Sequence, residues 1–532
     1  MKLLNKFDTN HMVRQIPSGP VLYACLLAIL ATTFLITTYY VYIPLRVDGG
    51  WYGYPALSLS KGRDPGENYT RFNDLKENPG VKAIFAVGDD FRRSLRIIPM
   101  TLWFMAFGAT IWVAKLFGIL EYLILLFIMY LSLRKICRDC NVLLLCFTIY
   151  LLDHPVIWWS SNNLRPDIFI AAVTLCVFLL AQMDETTKHR MVIFLAGIVL
   201  MFFLPLIRIS AAIPLVFLSS YLFIELYLSW QDLPGFKKWF YISLIAAGII
   251  GYVLRDHLLD MIISTKYPYQ LPYHMDQYSL AALKQRTLTH TLLKELHRWR
   301  EYFPLSNIGT LLAILLGLCL LIGRSLFRKG ETPKRKVIRI GLSCLAAMVF
   351  LAIFGPTRSS GHSMFLVAFF ILIVARELEL VPFPRTKKLV IPLLLLIVFV
   401  SVGMRFAQGI NVVAKSIKNE YSNAAVVEAI DAVFDSSRKN YVVFGSTELW
   451  PYFNPKKNVL IVDFRHKWTI NRLSDALKSV DYIIIDKSYD DENWEKKFLS
   501  RYPGIELKSV HEVGNPMSGW YFIRVTRPSF SG

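Results

Sequence analysis

Eleven apolar runs of 16 to 24 residues dominate the sequence, at 20–43, 114–133, 141–158, 167–183, 192–207, 211–229, 240–255, 307–323, 338–354, 363–378 and 389–406. A bilayer core demands about 20 apolar residues from a helix that crosses it. Lipid offers no partner to an exposed peptide group, so runs of this kind fold as a bundle of spanning helices. Composition agrees: 54% of residues are apolar, 18% are charged and the mean hydropathy is +0.42, whereas a soluble domain is about a quarter charged. The first run is too long for the apolar stretch of about 7–15 residues in a cleavable leader, so it reads as a retained span.

Orientation follows from lysine and arginine in the short connections. With the N-terminus inside, the inner segments hold Lys2, Lys6 and Arg14, then Arg134, Lys135 and Arg138, then Lys188, Arg190, Lys237 and Lys238. Seven more lie between Arg324 and Arg339, and Arg385, Lys387 and Lys388 close the set. These twenty account for the formal charge of +20, and the tail from 408 is nearly neutral, with seventeen basic against fifteen acidic residues. The basic excess therefore reports topology and excludes a nucleic-acid footprint. An odd number of spans leaves the C-terminus outside. The seven cysteines lie in spans or in the inner segment at 134–140, so the outer parts do not rely on disulfides. Cys137 and Cys140 have the spacing of half a zinc site, and no second pair completes one.

The expected architecture is thus a polytopic α-helical membrane domain, 1–407, with outer loops 46–113 and 256–306, and a separate outer α/β domain, 408–532. Stretches 51–60 and 95–112 are rich in aromatic residues and read as interfacial helices. Within the tail, 424–434, 470–480 and 491–501 read as helices. Short apolar runs at 441–445, 458–462, 481–486, 505–513 and 519–526 read as strands of a partly parallel sheet.

An ionisable group at membrane depth needs a partner or a task, and three clusters stand beside spans on the outer side. Asp48 follows the first span, as a solvated helix end or as a site residue. In 153–169, DHPVIWWSSNNLRPDIF, Arg165 sits outside against the charge bias and suits an anionic group. Asp167 is equally a helix-start residue and a site residue. In 354–365, FGPTRSSGHSMF, Arg358 and His362 share a short hairpin with small residues, an arrangement suited to phosphate.

An acid just after the first span, Arg-Pro-Asp opening the fourth and a basic Pro-Thr-Arg…His loop before a late span resemble the GT-C superfamily of membrane glycosyltransferases. NNLRPDIF and GPTRSSGH are similar to the Gly-Leu-Arg-Pro-acid and Pro-Thr-Lys…His stretches of the cell-wall arabinosyltransferases. Many members of the superfamily carry two adjacent acids after the first span; here Gly49 follows Asp48. The resemblance implies a sugar donor linked to polyprenyl phosphate and an outer glycan, lipid or protein acceptor. It requires no cofactor and allows for a divalent cation. A phosphate leaving group needs charge stabilisation, which Arg165, Arg358 and His362 would supply. The acceptor hydroxyl needs a base, which a partly desolvated Asp48 would be, and direct displacement would invert the anomeric centre. Asp89 and Asp90 read as a solvated acidic turn or as loop residues of the site. Asp153 and His154 are a similar pair, and His274 stands among tyrosines suited to a sugar face. The compartment read from these features is a bacterial inner membrane, with a cytoplasmic N-terminus and a periplasmic C-terminus. The rival reading is a transporter or flippase of lipid-linked sugars, which would place charges or broken helices at mid-bilayer.

Overall fold

The computed structural model describes residues 17–45, 94–163, 166–183, 212–228, 288–327, 334–354, 364–380, 384–418, 422–434, 440–445, 447–453, 458–463, 481–486, 506–515 and 518–526, with isolated positions in 53–60 and 235–246. The helices are α1 (Gly19–Tyr42), α2 (Ser94–Phe107), α3 (Ile111–Ile136), α4 (Cys140–Leu151), α5 (His154–Asn163), α6 (Pro166–Met183) and α7 (Ala212–Leu228). Then come α8 (Leu288–Tyr302), α9 (Ile308–Phe327), α10 (Lys334–Phe354), α11 (Met364–Glu379), α12 (Pro384–Lys418) and α13 (Asn423–Val433). The strands are β1 (Asn440–Gly445), β2 (Asn458–Asp463), β3 (Tyr482–Asp486), β4 (Glu506–Asn515) and β5 (Ser518–Thr526).

Nine of the eleven apolar runs coincide with these helices, α4 and α5 sharing one; the runs at 192–207 and 240–255 lie wholly or largely outside the described residues. By length and composition four described helices are able to cross a membrane, and the bent pair α4–α5 makes a fifth crossing if it is one span. α1 shows how such a helix packs. Ala24, Ala28, Ala31 and Leu35 form its buried stripe, while Leu22, Tyr23, Leu26, Ile29 and Leu30 face outward. Small residues inside let helix backbones approach, and large apolar residues outside meet lipid. α11 is enclosed on all sides and forms the centre of the helical core.

Two expected elements differ. The run at 141–158 is broken: α4 stops at Leu151 and α5 leaves at 48° to it. Pro155 is the cause: it has no N–H to give to Leu151 O, and in a continuous helix its ring would clash with that carbonyl. Beyond the break 154–163 forms a separate helix, of which only 154–158 falls in the apolar run. The interfacial stretch expected over 95–112 also divides. α2 ends at Phe107, Gly108 takes φ +84° and donates its N–H to Phe104 O at 2.9 Å, and Thr110 caps α3. Glycine tolerates that left-handed turn where other residues strain.

The strands form one mixed sheet in the order β2-β1-β3-β5-β4. β1 runs parallel to β2 and β3, β5 runs antiparallel to β3 and β4, and β4 carries a bulge between Ser509 and His511. A second core joins this sheet to one end of the bundle. It holds Leu45, Ala56, Ile97, Met100 and Phe104 from the first loop with Val426, Ile430, Leu449, Trp450 and Phe522 from the C-terminal part. α2 is its floor: Ile97, Met100 and Phe104 face the core, whereas Ile98, Leu102, Met105 and Phe107 are exposed on the other side.

Candidate functional site

Of the residues singled out in the sequence, Asp153, His154 and Asp167 are described; Asp48, Asp89, Asp90, Arg165, His274, Arg358 and His362 lie outside the described residues. Asp167 is buried in the first turn of α6, behind Pro166. A carboxylate there faces the positive end of the helix dipole.

Asp153 and His154 lie at the break between α4 and α5, where four other segments converge. The break leaves Leu151 O and Leu152 O without helical partners, and side chains take both. Tyr122 Oη donates to Leu151 O at 2.8 Å, and Arg405 Nε of α12 donates to Leu152 O at 2.8 Å. Asp153 is fully buried. Its Oδ2 accepts from Tyr302 Oη at the end of α8, and its Oδ1 accepts from Asn307 Nδ2 just before α9, both at 2.9 Å. The Oδ1 of Asn307 accepts from the backbone N–H of His154, from Thr310 Oγ1 and from Arg405 Nη2, each at 3.2 Å. Asn307 thus bridges a buried carboxylate and a buried guanidinium, which attract one another across it. Its amide orientation follows from these partners: the N–H side meets the acid and the carbonyl side meets the cation. Nothing in Asp153 is left facing outward, so the carboxylate works within the fold.

His154 connects the break to α1. Its Nε2 shares a hydrogen bond of 2.8 Å with Tyr39 Oη, and both rings pack on Trp158. Tyr39 lies in the last turn of α1, and Asp48 follows six residues beyond that helix. α8 supplies a further wall. It turns Lys294, Arg298 and Tyr302 inward and leaves Leu293 and Leu296 exposed, the reverse of a water-facing helix. Arg298 pairs with Glu295, and Lys294 Nζ donates to Ala352 O at 2.9 Å in the last turn of α10. Burial pushes the Glu295 carboxyl above the ordinary glutamate range, and Arg298 and Lys294 pull it back.

One end of the bundle therefore gathers the C-terminal ends of α1, α4 and α8, the start of α9 and the C-terminal half of α12, and Lys294 links α8 to the last turn of α10. In chain order Asp48 follows α1, Arg165 follows α5, and Arg358 and His362 follow α10. Sequence reasoning missed Tyr39, Lys115, Tyr302, Asn307 and Arg405. Two of them had a signal. Lys115 and Arg405 are cations inside apolar runs, and such cations find internal partners. The polar neutral residues had none, because tyrosine and asparagine at a span end are ordinary. Among the described residues no three His, Cys, Asp or Glu side chains gather as metal ligands, and the seven cysteines are unpaired.

The arrangement defines a class of fold: a helical bundle with one end covered by a mixed five-stranded sheet. In particular it is similar to ArnT from Cupriavidus metallidurans. The structure of that protein bound to undecaprenyl phosphate matches with a TM-score of 0.55 and 12% identity over 96% of this chain and 99% of that one. Its apo structure matches with a TM-score of 0.54, again at 12% identity, over 95% and 98%. No family model and no curated protein matches the sequence.

Proposed function

We propose that the chain is a polyprenyl-phosphate-dependent membrane glycosyltransferase. It moves a sugar, an arabinofuranose or another pentose or hexose, to a glycan, lipid or protein on the outer face of a bacterial inner membrane. The C-terminal sheet is then periplasmic. The observation that supports this most is the end-to-end likeness of fold to a protein that holds undecaprenyl phosphate. The buried polar contacts at the ends of α1 and α10, after which the chain runs on to Asp48 and Arg358, are a second support for this reading. In this reading Asp48 takes the proton of the acceptor hydroxyl as that oxygen bonds to the anomeric carbon. The bond from that carbon to the phosphate oxygen breaks, polyprenyl phosphate leaves, and the centre inverts. Arg165, Arg358 and His362 neutralise the departing phosphate, and no step calls for a metal.

A transporter needs a broken helix that offers its carbonyls to a substrate. The break between α4 and α5 instead has its last carbonyls taken by Tyr122 and Arg405, which favours the enzyme. The test is Asp48→Asn in purified protein, supplied with a panel of undecaprenyl-phosphate-linked pentoses and hexoses. Loss of a general base costs about 10²–10⁴ in rate, so transfer should fall by that factor while undecaprenyl phosphate still binds. Undiminished transfer by the variant removes Asp48 from the mechanism. If no sugar is transferred by the unaltered protein yet lipid-linked sugar crosses vesicles that contain it, the transporter reading takes its place.

A further inference from the structure

Helix ends leave carbonyls without partners, and in this protein buried cations take them at α4 and at α1 and α10, the two helices that lead into the segments bearing Asp48 and Arg358. Arg405 does so at α4. At α1 the cation is Lys115, wholly buried at the start of α3. Its Nζ donates to Tyr39 O at 2.7 Å, to Tyr40 O at 3.2 Å and to Ile43 O. A second donor reaches the same turn from the C-terminal part of the chain. Asn423 Nδ2 meets Tyr40 O at 2.9 Å and Ile43 O at 3.1 Å, while Asn423 Oδ1 accepts from Tyr452 Oη at 2.8 Å. Asp48 follows Ile43 by five residues. At α10 the cation is Lys294, whose Nζ holds Ala352 O at 2.9 Å, two residues before the helix ends. Arg358 and His362 come next in the chain.

A lysine is an expensive way to cover a helix end. Taking an ammonium out of water costs several kcal/mol, by general estimate, even after relaxation. What it offers in return is direction: three donors on one nitrogen bind several carbonyls at once and fix where the chain leaves the helix. We propose that Lys115 and Lys294 are positioning residues for the transfer site. Lys115, seconded by Asn423, sets the departure of the segment that bears Asp48. Lys294 sets the departure of the segment that bears Arg358 and His362. The proposal rests on the roles given above to Asp48, Arg358 and His362, and it predicts that the two lysines control different steps.

The experiment uses the full-length protein, the sugar donor that it turns over, and a titration of undecaprenyl phosphate to count competent sites. Lys115→Met should lower turnover per competent site at least tenfold, with affinity for undecaprenyl phosphate within twofold of the original. Lys294→Met should weaken that affinity and raise KM for the donor at least fivefold. Arginine at either position keeps charge and donors and should restore part of the loss. If both methionine variants merely lower the number of competent sites, with turnover and affinity per site unchanged, the lysines serve packing alone and the proposal is overturned. Where Lys115→Met fails to fold, Asn423→Asp decides, since it keeps the acceptor for Tyr452 and removes both Nδ2 donors. Its turnover should fall with affinity intact, and unchanged turnover overturns the proposal. Asp48→Asn is measured alongside. Full activity in that variant defeats the reading of the site itself, whatever the lysine variants show.

Discussion

Asn307 has five hydrogen-bonding partners within one buried side chain: Asp153, Tyr302, His154, Thr310 and Arg405. An amide suits this place because it is neutral, donates two N–H groups on one side and accepts on the other. Asn307→Asp would set a carboxylate oxygen against Asp153 and leave two buried acids in contact. Breaking a buried pair in this way costs about 3–5 kcal/mol. The expected outcome is a marked fall in melting temperature and in folded yield from the membrane. Exchanging both residues, Asp153→Asn with Asn307→Asp, restores one donor facing one acceptor. It should recover part of the loss in a double-mutant cycle, since residues in contact couple. An Asp-His pair at a span end was visible in the sequence as a candidate. That its carboxylate is spent on Tyr302 and Asn307 was not, because those partners are 149 and 154 residues away.

Elements in this protein are set by short local signals and then placed by close contact. Pro155 breaks a span, Gly108 with Thr110 divides α2 from α3, and both signals stand in the sequence. Contact distance between helices does not. Gly317 of α9 faces α11 so closely that a Cβ on it would meet Val374 Cγ2 at 2.5 Å and the Val374 Cα at 2.9 Å. A rotamer change relieves the first contact and not the second. Gly317→Leu should therefore separate α9 from α11 and cost about 1–3 kcal/mol, the usual range for overpacking, read as a lower melting temperature in detergent. Gly341→Leu on α10 has no heavy atom within 4 Å of the new Cβ and should melt as the original does. Val374→Ala should rescue Gly317→Leu only in part, since the backbone contact remains. The sequence shows both glycines within apolar runs and does not say which one touches a neighbour.

The helical bundle and the C-terminal sheet are joined by a core shared between the first loop and that sheet. Trp450 packs on Phe104 with ring centres 5.3 Å apart, and a Cβ on Gly53 would fall 2.3 Å from the Trp450 ring. A chain ending at Lys418 loses the cover over Ile97, Met100 and Phe104 and loses the Asn423 donor to α1. It should still insert in the membrane, yet its first outer loop should become sensitive to limited proteolysis and its sugar transfer should fall at least tenfold. Proteolytic fragments and initial rates on the truncated chain check both. The sequence alone determined the membrane class, the inner and outer sides expected of its loops, nine apolar helical runs, the helix at 424–434, the five strands and the three loops worth testing, while the helices expected at 470–480 and 491–501 lie outside the described residues. Each follows from local patterning: apolar run length, charge bias and the period of short strands. Tertiary structure alone decided that α1, α4, α8, α9, α10 and α12 meet at one end. It alone decided that buried lysines hold the helices leading to two of those loops, and that the sheet is welded to the loop bearing Asp48. Those facts depend on which distant segments touch, and packing partners far apart in the chain leave no periodic trace in it.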